Sequence, residues 1–341
     1  MQTMRKSVAL LTGANGEIGQ GLLHALVARG KAVVALDLAP LPDETAALCE
    51  ASLVGDILDR NLLERLISEY AVREVYHLAA LLSTRSEFTP DTAHRVNVGG
   101  TLDLLRLAAD QARRDGHPVT FVFPSSIAVY GLPDLDAKAA AGRVREEQFN
   151  RPTTMYGCNK LYCEHLGRYF SENYGQLDAN FQPSGVDFRA LRFPGLVSAV
   201  TVPSGGTSDW GPELLHGAAS GKPYACFVGP DARLPFMAMP DAVRSIVELA
   251  AAPAERLSQR VYNVGSFSLS AAEIRERAEA AFPGAQLSYE PQRARAAIVD
   301  TWPADVDDDP ARRDWGWAPA YDVDRAFDSY LIPELRLRYA D

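Results

Sequence analysis

A glycine-rich turn near the start of the chain strongly limits the folds that are open to it. Residues 7–11 form a short apolar run, as expected for a buried parallel strand. Residues 17–29 then carry apolar side chains at helical spacing, and Gly30 ends that pattern. The turn between these two runs reads Thr12-Gly13-Ala14-Asn15-Gly16-Glu17-Ile18-Gly19. Its three glycines favour a tight connection and close packing of the helix on the strand.

Strand and helix continue to alternate through the first half of the chain. Strand-like runs recur over residues 32–36, 52–56, 75–80, 120–124 and 187–192, and helical stretches cover 91–114 and 155–175. This rhythm predicts an α/β protein with a doubly wound parallel sheet, the Rossmann architecture. From residue 195 the sequence is rich in Gly, Pro and Ser, with one helix near 210–220. Residues 237–253 and 261–264 are expected to return to the sheet.

The glycine turn has the context that a dinucleotide-binding loop requires. Glycines at these positions let the backbone approach a pyrophosphate, which lies at the N-terminus of the following helix. The residues expected to contact the cofactor here are Gly13, Asn15, Gly16, Glu17, Ile18 and Gly19. We therefore predict a nucleotide-binding Rossmann domain over residues 1–194, with a return segment at about 237–265. A smaller C-terminal α/β region for the substrate, the cap, is predicted over 195–236 and 266–341.

Two acidic residues at strand ends indicate which dinucleotide binds. Asp37 ends the second predicted strand, where its carboxylate can accept hydrogen bonds from an adenosine ribose and would repel a 2′-phosphate. The sequence therefore favours NAD over NADP as the cofactor. Asp56 follows the third strand and is expected to bind the adenine amine, with Ile57 packing on the adenine ring.

A tyrosine and a lysine on one helix face provide the candidate chemistry. Tyr156 and Lys160 are four residues apart, so on a helix their side chains are neighbours. The ammonium favours phenolate and should lower the pKa of the tyrosine toward neutrality, although the same spacing also occurs by chance on solvated helices. Ser125 and Ser126 end the fifth strand, at the sheet edge where open α/β folds bind ligands. Serine and tyrosine hydroxyls could then bind one substrate oxygen, with Tyr156 as general base.

Composition argues against several classes of function. The formal net charge is −10 and no basic patch is present, which argues against a nucleic-acid partner. No apolar run approaches the about 20 residues that cross a bilayer, and the N-terminus lacks the pattern of a signal peptide. We therefore expect a soluble, cytoplasmic protein. The four cysteines show no zinc-type spacing, so no metal site is predicted.

These motifs together resemble those of the extended short-chain dehydrogenases/reductases, over nearly the whole chain. The resemblance rests on the glycine turn, His77-Leu78-Ala79-Ala80, Asn97, the serine pair, Tyr156-x-x-x-Lys160 and Arg192-Phe193-Pro194. It implies a catalytic set of Ser126, Tyr156 and Lys160, with Lys160 also holding the nicotinamide ribose. It further implies that Leu78, Ala79 and Ala80 line the cofactor, that Asn97 supports the active-site helix, and that Phe193, Pro194 and Leu196 approach the nicotinamide.

Longer runs narrow the resemblance to the NAD-dependent L-threonine 3-dehydrogenases of the short-chain type. The runs are PSSIAVYG (124–131), LRFPGLVS (191–198), GGTSDW (205–210), RLPFMAMPDA (233–242), DTWP (300–303) and RRDWGW (312–317). The implied reaction is oxidation of the 3-hydroxyl of L-threonine, or of a close small β-hydroxy acid, to the ketone. The implied substrate contacts are Ser83, Ser126, Tyr156, Thr207 and Trp302. The family also implies a homodimer joined through the long helices after the fourth and fifth strands.

Two stretches depart from this family pattern. The stretches near residues 132–150 and 176–184 are longer than expected, and the first lies near the predicted pocket mouth, so the substrate could differ from threonine.

Two other functions stay open. A nucleotide-sugar 4-epimerase would share the fold, the loop and the Tyr-Lys pair. A sugar-nucleotide dehydratase would carry an Asp-Glu pair where Ile127 and Ala128 stand. A non-catalytic NAD(H)-binding sensor is the remaining alternative, although Tyr156 and Lys160 are both present.

Overall fold

The computed structural model describes residues 5–179, 182–203 and 205–340. Its strands are β1 (Lys6–Thr12), β2 (Val33–Asp37), β3 (Ala51–Val54), β4 (Tyr70–His77), β5 (Val119–Ser126), β6 (Arg143–Val144), β7 (Val186–Phe193), β8 (Gly195–Val197), β9 (Tyr224–Cys226), β10 (Arg233–Ala238), β11 (Val261–Asn263), β12 (Phe267–Ser270), β13 (Leu287–Tyr289) and β14 (Asp305–Val306).

The helices alternate with these strands through the first part of the chain and then cluster in the second. They are α1 (Glu17–Ala28), α2 (Asp43–Ala46), α3 (Arg60–Glu69), α4 (Ser83–Phe88), α5 (Pro90–His94), α6 (Gly100–Asp115), α7 (Leu135–Ala141), α8 (Met155–Glu172), α9 (Trp210–Ser220), α10 (Met239–Ala251), α11 (Ala271–Ala281), α12 (Arg293–Asp300), α13 (Asp309–Trp315), α14 (Val323–Ala326) and α15 (Ile332–Arg338).

A seven-stranded parallel sheet dominates the described part of the chain, in the order β3-β2-β1-β4-β5-β7-β11. Its central strands are apolar on both faces, which suits a sheet covered by helices on both sides. One face packs against α3, α6 and α8, and the other against α1 and α10. The order of strands reverses between β1 and β4, and open α/β sheets bind their ligands in the crevice at such a point.

The smaller region has its own sheet and its own apolar core. Strands β8, β10 and β12 form a three-stranded sheet, while β9 pairs with β13 and β6 with β14. Trp210 at the start of α9 packs edge-on against Phe236 of β10, with 5.1 Å between ring centroids. The same core continues to the residues that follow Ser126 and to Trp302. The cap core therefore reaches the carboxyl edge of the large sheet.

The predicted fold class is confirmed, and several element boundaries differ from the prediction. β5 ends at Ser126, as expected for the serine pair, because Ser125 and Ser126 have ladder partners in β7. β4 begins at Tyr70 and ends at His77, so the segment after it is a loop. The predicted helix 91–114 contains a π-type turn at Arg95–Gly99, next to the side-chain contacts of Asn97. Residues 239–251 are helical, and only Val261–Asn263 of the return segment joins the large sheet.

None of the helices in the described residues is both long enough and apolar enough to span a membrane.

Candidate active site

The glycine turn after β1 is packed so closely that side chains would not fit. Gly13 has a positive φ of 69°, and a Cβ there would lie 2.6 Å from the backbone nitrogen of Ala79. A Cβ on Gly19 would lie 2.3 Å from the carbonyl oxygen of Gly13. Glycine is therefore required at both positions, by backbone conformation at Gly13 and by the approach of α1 to the turn at Gly19.

The start of α1 has the properties of an anion-binding site. Gly16 occupies the N-cap and contributes no side-chain hydrogen bond, so no cap side chain occupies the first-turn N–H groups. Ile18 is half-buried beside the core under the turn. Glu17 turns its carboxyl group toward Ser198 and Thr201, and burial raises its pKa. The predicted contact of Glu17 with the cofactor therefore rests on its backbone.

Asp37 lies at the tip of β2 beside this turn. Its Oδ2 accepts a hydrogen bond of 2.9 Å from the backbone N–H of Asn15, and its Oδ1 accepts one of 3.1 Å from Ala39. The carboxylate is thus fixed next to the turn. Asp56 is exposed after β3, whereas Ile57 is buried and packs against Gly100 of α6. Ile57 therefore has little surface left for the predicted contact with adenine.

The loop after β4 is held by buried polar groups. The backbone N–H of Leu78 donates to the carbonyl of Thr12, and that of Ala79 lies 3.4 Å from the Thr12 hydroxyl. Asn97 forms two hydrogen bonds with the backbone of Leu81, at 2.8 and 3.0 Å. The Asn97 side chain therefore holds the backbone at Leu81, in the loop after β4. Its backbone carbonyl, at 3.4 Å from Cys163 Sγ, makes the link to α8.

The structure brings the ends of β5 and the start of α8 together. Thr154 caps α8 through a 3.0 Å hydrogen bond from Gly157 N–H to its Oγ1. A Cβ on Gly157 would lie 2.0 Å from the carbonyl oxygen of Ala128, so the first turn of α8 presses on the turn directly after Ser126. This contact places Tyr156, the neighbour of Gly157, beside the end of β5 that carries Ser126. The predicted approach of serine and tyrosine thus has a packing basis.

Lys160 is buried in the interior between α8 and β5. Its Nζ donates a 2.6 Å hydrogen bond to the carbonyl of Pro124 and lies 4.4 Å from the ring centroid of Phe123. It is 5.5 Å from the ring centroid of Tyr156. Burial lowers the pKa of Lys160 to about 8. The ammonium is thus close to the tyrosine, but its observed hydrogen bond goes to the strand.

The expectation of a lowered tyrosine pKa is wrong for this structure. Burial raises the pKa of Tyr156, because the phenolate would have to be formed away from water. Lys160 Nζ lies 5.5 Å from the ring centroid of Tyr156, and its charge does not offset the effect of burial. Sequence spacing gave the neighbour correctly and could not give the desolvation, which depends on the tertiary packing of the cap against α8.

The two serines of β5 have different surroundings. Ser126 Oγ accepts a 3.1 Å hydrogen bond from the backbone N–H of Ala128 and is half-buried. Ser125 is buried and donates a 2.5 Å hydrogen bond to Glu164 Oε1. Since successive side chains of a strand alternate between faces, the adjacent serines are directed apart. Ser125 is therefore tied into the protein interior by Glu164, and the Ser126 hydroxyl faces away from that network.

A buried polar network behind Ser125 was missed in the sequence. Arg192 donates to both carboxylate oxygens of Glu164, at 2.9 and 2.6 Å, and its guanidinium lies 4.9 Å from the ring centroid of Tyr130. Tyr130 in turn donates a 2.7 Å hydrogen bond to Asn263 of β11. Glu164 lies four residues after Lys160 on α8, and this spacing was the available signal. The network joins α8 to three strands of the region around the site.

The turn from β7 to β8 lies directly beside Ser126. Phe193 is the ladder partner of Ser126, and Pro194 follows it as a buried residue. Leu196 of β8 is half-buried and pairs with Met237 of β10. The three residues predicted to approach the nicotinamide therefore lie at the same edge of the large sheet as Ser126.

Two of the predicted substrate residues are joined by a hydrogen bond. The backbone N–H of Thr207 donates a 3.3 Å hydrogen bond to Ser83 Oγ. Arg295, which the sequence did not single out, donates to the carbonyl oxygens of Gly205 and Gly206, at 3.3 and 3.0 Å. Its guanidinium also stacks on Phe227. The glycine loop that carries Thr207 is thus held from both sides.

Trp302 lies in the core that the cap shares with the active-site helix. Its side chain is buried, and Tyr156 packs against the same cluster of apolar side chains. Its indole Nε1 is buried and has no hydrogen-bond partner among the described residues. A buried donor of this kind is a candidate to bind a ligand oxygen, since unpaired buried N–H groups are costly.

Comparison with known proteins places the chain in a family. Residues 9–265 match the model of the NAD dependent epimerase/dehydratase family. The chain belongs to this family. The NAD dependent epimerase/dehydratase match includes residues of all seven strands of the large sheet, from Ala9 of β1 onward, together with β8 and β10. The expectation of NAD as cofactor is confirmed.

Relatives of known name are similar over nearly the full chain. The mitochondrial L-threonine 3-dehydrogenase of Bos taurus is 34% identical over 322 residues, which cover 92% of this chain and 79% of that protein. The L-threonine 3-dehydrogenase of Trypanosoma brucei is 32% identical, with a TM-score of 0.85 and coverage of 99% of both chains. A monomeric L-threonine 3-dehydrogenase from a metagenome is 34% identical, with a TM-score of 0.85 and coverage of 97% of this chain and 100% of that one.

The residues of this family member fit NAD. The close packing at Gly13 and Gly19 leaves backbone alone at the turn, and the first-turn N–H groups of α1 can receive a pyrophosphate. Asp37 is fixed at the end of β2, where a carboxylate can bind an adenosine ribose. Lys160 and Tyr156 lie at the opposite end of the crevice, at the edge of β5.

Proposed function

We propose that this protein oxidises the 3-hydroxyl of L-threonine to give 2-amino-3-oxobutanoate, with NAD as the hydride acceptor. The observation that carries the proposal is the packing of Gly157 in α8 against the turn after Ser126, together with Lys160 Nζ at 5.5 Å from the ring centroid of Tyr156. Similarity over nearly the whole chain to proteins named L-threonine 3-dehydrogenase supports threonine as the substrate.

The proposed mechanism assigns one task to each of three side chains. Ser126 Oγ and Tyr156 Oη bind the substrate hydroxyl, and Tyr156 removes its proton as the C–H electron pair leaves with the hydrogen. NAD supplies the acceptor for that hydride. Because burial raises the pKa of Tyr156, its phenolate needs a compensating charge, and the ammonium of Lys160 provides it. The product is a ketone, and the proton remains on Tyr156 Oη until solvent removes it.

The proposed recognition of the amino acid uses groups of the cap and of the loop after β4. A hydrogen bond between the Thr207 N–H and Ser83 Oγ holds these two residues together, which supports a shared role. Trp302 has a buried indole N–H with no partner in the described residues, and this group suits a carboxylate oxygen of the substrate. We assign substrate contact to Ser83, Thr207 and Trp302 on this basis, together with Ser126 and Tyr156.

An assay with purified protein tests the reaction and the substrate separately. We expect NADH to form from NAD and L-threonine, and the comparison set is a panel of small β-hydroxy acids. Reduction of NAD with a hydroxy acid of the panel but not with threonine would leave the chemistry intact and reject the substrate. If UDP-sugars protect the protein against heat and threonine does not, the nucleotide-sugar 4-epimerase is the better assignment. NAD binding without turnover of any substrate would favour the NAD(H)-binding sensor.

Our proposal also includes a homodimer, formed through α6 and α8. Its support is the exposure of large side chains on and near these helices, with Phe88 82%, Tyr162 54% and Tyr169 41% exposed. The metagenome relative is named as monomeric, so the assembly can differ within this group. Sedimentation of the wild type and of Tyr162→Glu tests the dimer. A wild type that sediments as a monomer at micromolar concentration rejects it.

The location of the protein in the cell is also a proposal. A cytoplasmic location stays proposed, since the relatives from cattle and pig are named as mitochondrial. Fractionation of cells that express the natural chain tests it.

The proposed division assigns residues 1–194 and about 237–265 to the NAD-binding domain and 195–236 and 266–341 to the cap. The pairing of β11 with β7 supports the return segment. Strand β8 pairs with Phe236–Ala238 of β10, so the cap sheet continues two residues past the proposed boundary at 237.

A further inference from the structure

The chain that leaves the active-site strand crosses the cap and holds the segment that carries Trp302. Residues 131–144, here called the crossing segment, follow Ser126 and the short 3₁₀ turn Ile127–Val129. They include α7, and β6 at their end pairs with β14, a few residues beyond Trp302. The Trp302 segment, residues 299–307, is thus bound along its length by a part of the chain that starts at the catalytic serine.

Backbone hydrogen bonds anchor the Trp302 segment on both sides of the tryptophan. Before Trp302, the N–H of Leu132 donates to the carbonyl of Thr301 at 2.8 Å. After it, the N–H of Asp307 donates to the carbonyl of Val144 at 2.9 Å. A third contact joins the hydroxyls of Thr153 and Thr301 at 3.1 Å. The tryptophan therefore sits between two fixed points.

Lys138 makes the most unusual of these contacts. It is 6% exposed, and its Nζ donates a 3.0 Å hydrogen bond to the carbonyl of Val299 in the last turn of α12. The same carbonyl accepts the backbone N–H of Trp302 at 3.1 Å. A cation at a helix C-terminus is favourable, whereas burying an ammonium is costly. Lys138 and the backbone of Trp302 therefore share one acceptor, at the point where α12 turns into the Trp302 segment.

We infer that Lys138 is a positioning residue that fixes the indole N–H of Trp302 for an oxygen of the bound amino or hydroxy acid. The inference rests on the proposed function, because Trp302 is assigned to the substrate there. No contact between Lys138 and the substrate is part of this inference. It acts through the Val299 carbonyl, and a displacement of Trp302 by about 1 Å is enough to weaken a directed hydrogen bond.

A double-mutant cycle between Lys138 and Trp302 tests the inference in the full-length enzyme with saturating NAD. The variants are Lys138→Met, Trp302→Phe and both together, and Lys222→Met is the matched control at an exposed lysine. We expect Lys138→Met to raise the KM for L-threonine about tenfold, with kcat and the Kd for NAD within about twofold of the wild type. In the Trp302→Phe background, which has already lost the indole N–H, Lys138→Met should add less than about twofold.

The outcomes separate positioning from a purely structural role. The inference is overturned if the effects of Lys138→Met and Trp302→Phe on the KM for L-threonine multiply in the double variant. It is also overturned if Lys138→Met lowers kcat and the midpoint of thermal unfolding without changing KM. If Lys138→Met does not fold, Thr153→Val replaces it in the same cycle, since that contact is on the surface. An unchanged KM in Thr153→Val would then overturn the inference.

Amide hydrogen exchange provides a readout that needs no substrate. We expect Lys138→Met to exchange faster than the wild type over residues 299–307, and Lys222→Met to match the wild type. Equal exchange in Lys138→Met and the wild type overturns the inference while the proposed reaction stands. A wild type that fails to oxidise L-threonine rejects the proposed function, and the exchange result still reports whether Lys138 holds the Trp302 segment.

Discussion

Glu164 and Arg192 form a buried ion pair beside the candidate catalytic lysine. Arg192 Nη2 is 2.6 Å from Glu164 Oε2, and both side chains are 3% exposed. Glu164 also accepts the hydroxyl of Ser125, and Arg192 donates to the carbonyl of Glu146 at 2.8 Å. The carboxylate and the guanidinium thus both have further hydrogen-bond partners among the described residues. The pair joins α8, which carries Tyr156 and Lys160, to β7 and β5.

Loss of this pair should destabilise the protein strongly. Glu164→Gln leaves the charge of Arg192 buried and uncompensated, which costs about 3–5 kcal/mol in other proteins. We expect a reduction of that size in the free energy of unfolding, measured with urea. Asp110→Asn, which breaks an exposed ion pair with Arg113, serves as the control and should cost less than about 1 kcal/mol. A free energy for Glu164→Gln as close to the wild type as that of the control would contradict this expectation.

Tyr156→Phe should remove turnover and leave cofactor binding in place. The change deletes only the hydroxyl that takes the substrate proton, and such general bases contribute about 10²- to 10⁴-fold to rates. We expect kcat to fall by at least that range while the Kd for NAD, from fluorescence titration, stays within about twofold. Tyr162→Phe on the exposed face of the same helix is the matched control and should be active. Residual activity of Tyr156→Phe near the wild-type value would remove Tyr156 from the mechanism.

Asp37→Asn should weaken the preference for NAD. The amide can still accept the N–H of Asn15, so the turn should keep its shape, but the charge that repels a 2′-phosphate is lost. Because charge-assisted hydrogen bonds contribute about 1.5–3 kcal/mol, we expect the ratio of kcat/KM for NAD to that for NADP to fall about 10- to 100-fold. Asp43→Asn, at an exposed site in α2, should leave the ratio unchanged. Equal wild-type rates with the two cofactors would be incompatible with this role of Asp37.

His77 should make the protein less stable in acid. Its ring is buried between the hydroxyls of Thr12 and Thr101, and burial lowers its pKa from 6.5 to about 3. Below pH 6.5 the unfolded chain takes up a proton that the folded chain does not. Stability is therefore complete above that pH and is lost progressively as the pH falls toward 3, by up to about 1.4 kcal/mol per pH unit.

The role of His77 is tested by how steeply the free energy of unfolding changes with pH. Urea unfolding at pH 7, 6 and 5 should show a steeper loss of stability for the wild type than for His77→Gln, which cannot take up the proton. His117→Gln, at an exposed histidine, should keep the wild-type slope. If the free energy of unfolding falls at the same rate with decreasing pH in the wild type and in His77→Gln, another group causes the acid sensitivity.

Features that depend on nearby residues were open to prediction. The parallel sheet follows from short apolar runs between helical repeats, and the turn at Gly13 follows from its glycines, because both are set by local periodicity and backbone conformation. Lys160 was found next to Tyr156 because residues four apart on a helix are neighbours. Helix and strand ends were less certain: the predicted strand over residues 75–80 is β4 at Tyr70–His77, since ladder partners distant in sequence set where a strand begins and ends.

The sequence by itself determined the fold class, the nucleotide turn and the residue types of the candidate catalytic set. Tertiary structure alone decided which serine is bound to Glu164, where Glu164 finds its ionic partner, and that Lys138 reaches the carbonyl of Val299 near Trp302. It also reversed the expected direction of the Tyr156 pKa. The physical reason is the same throughout, since burial and contacts between distant segments set the environment of a side chain, and neither is encoded by local spacing.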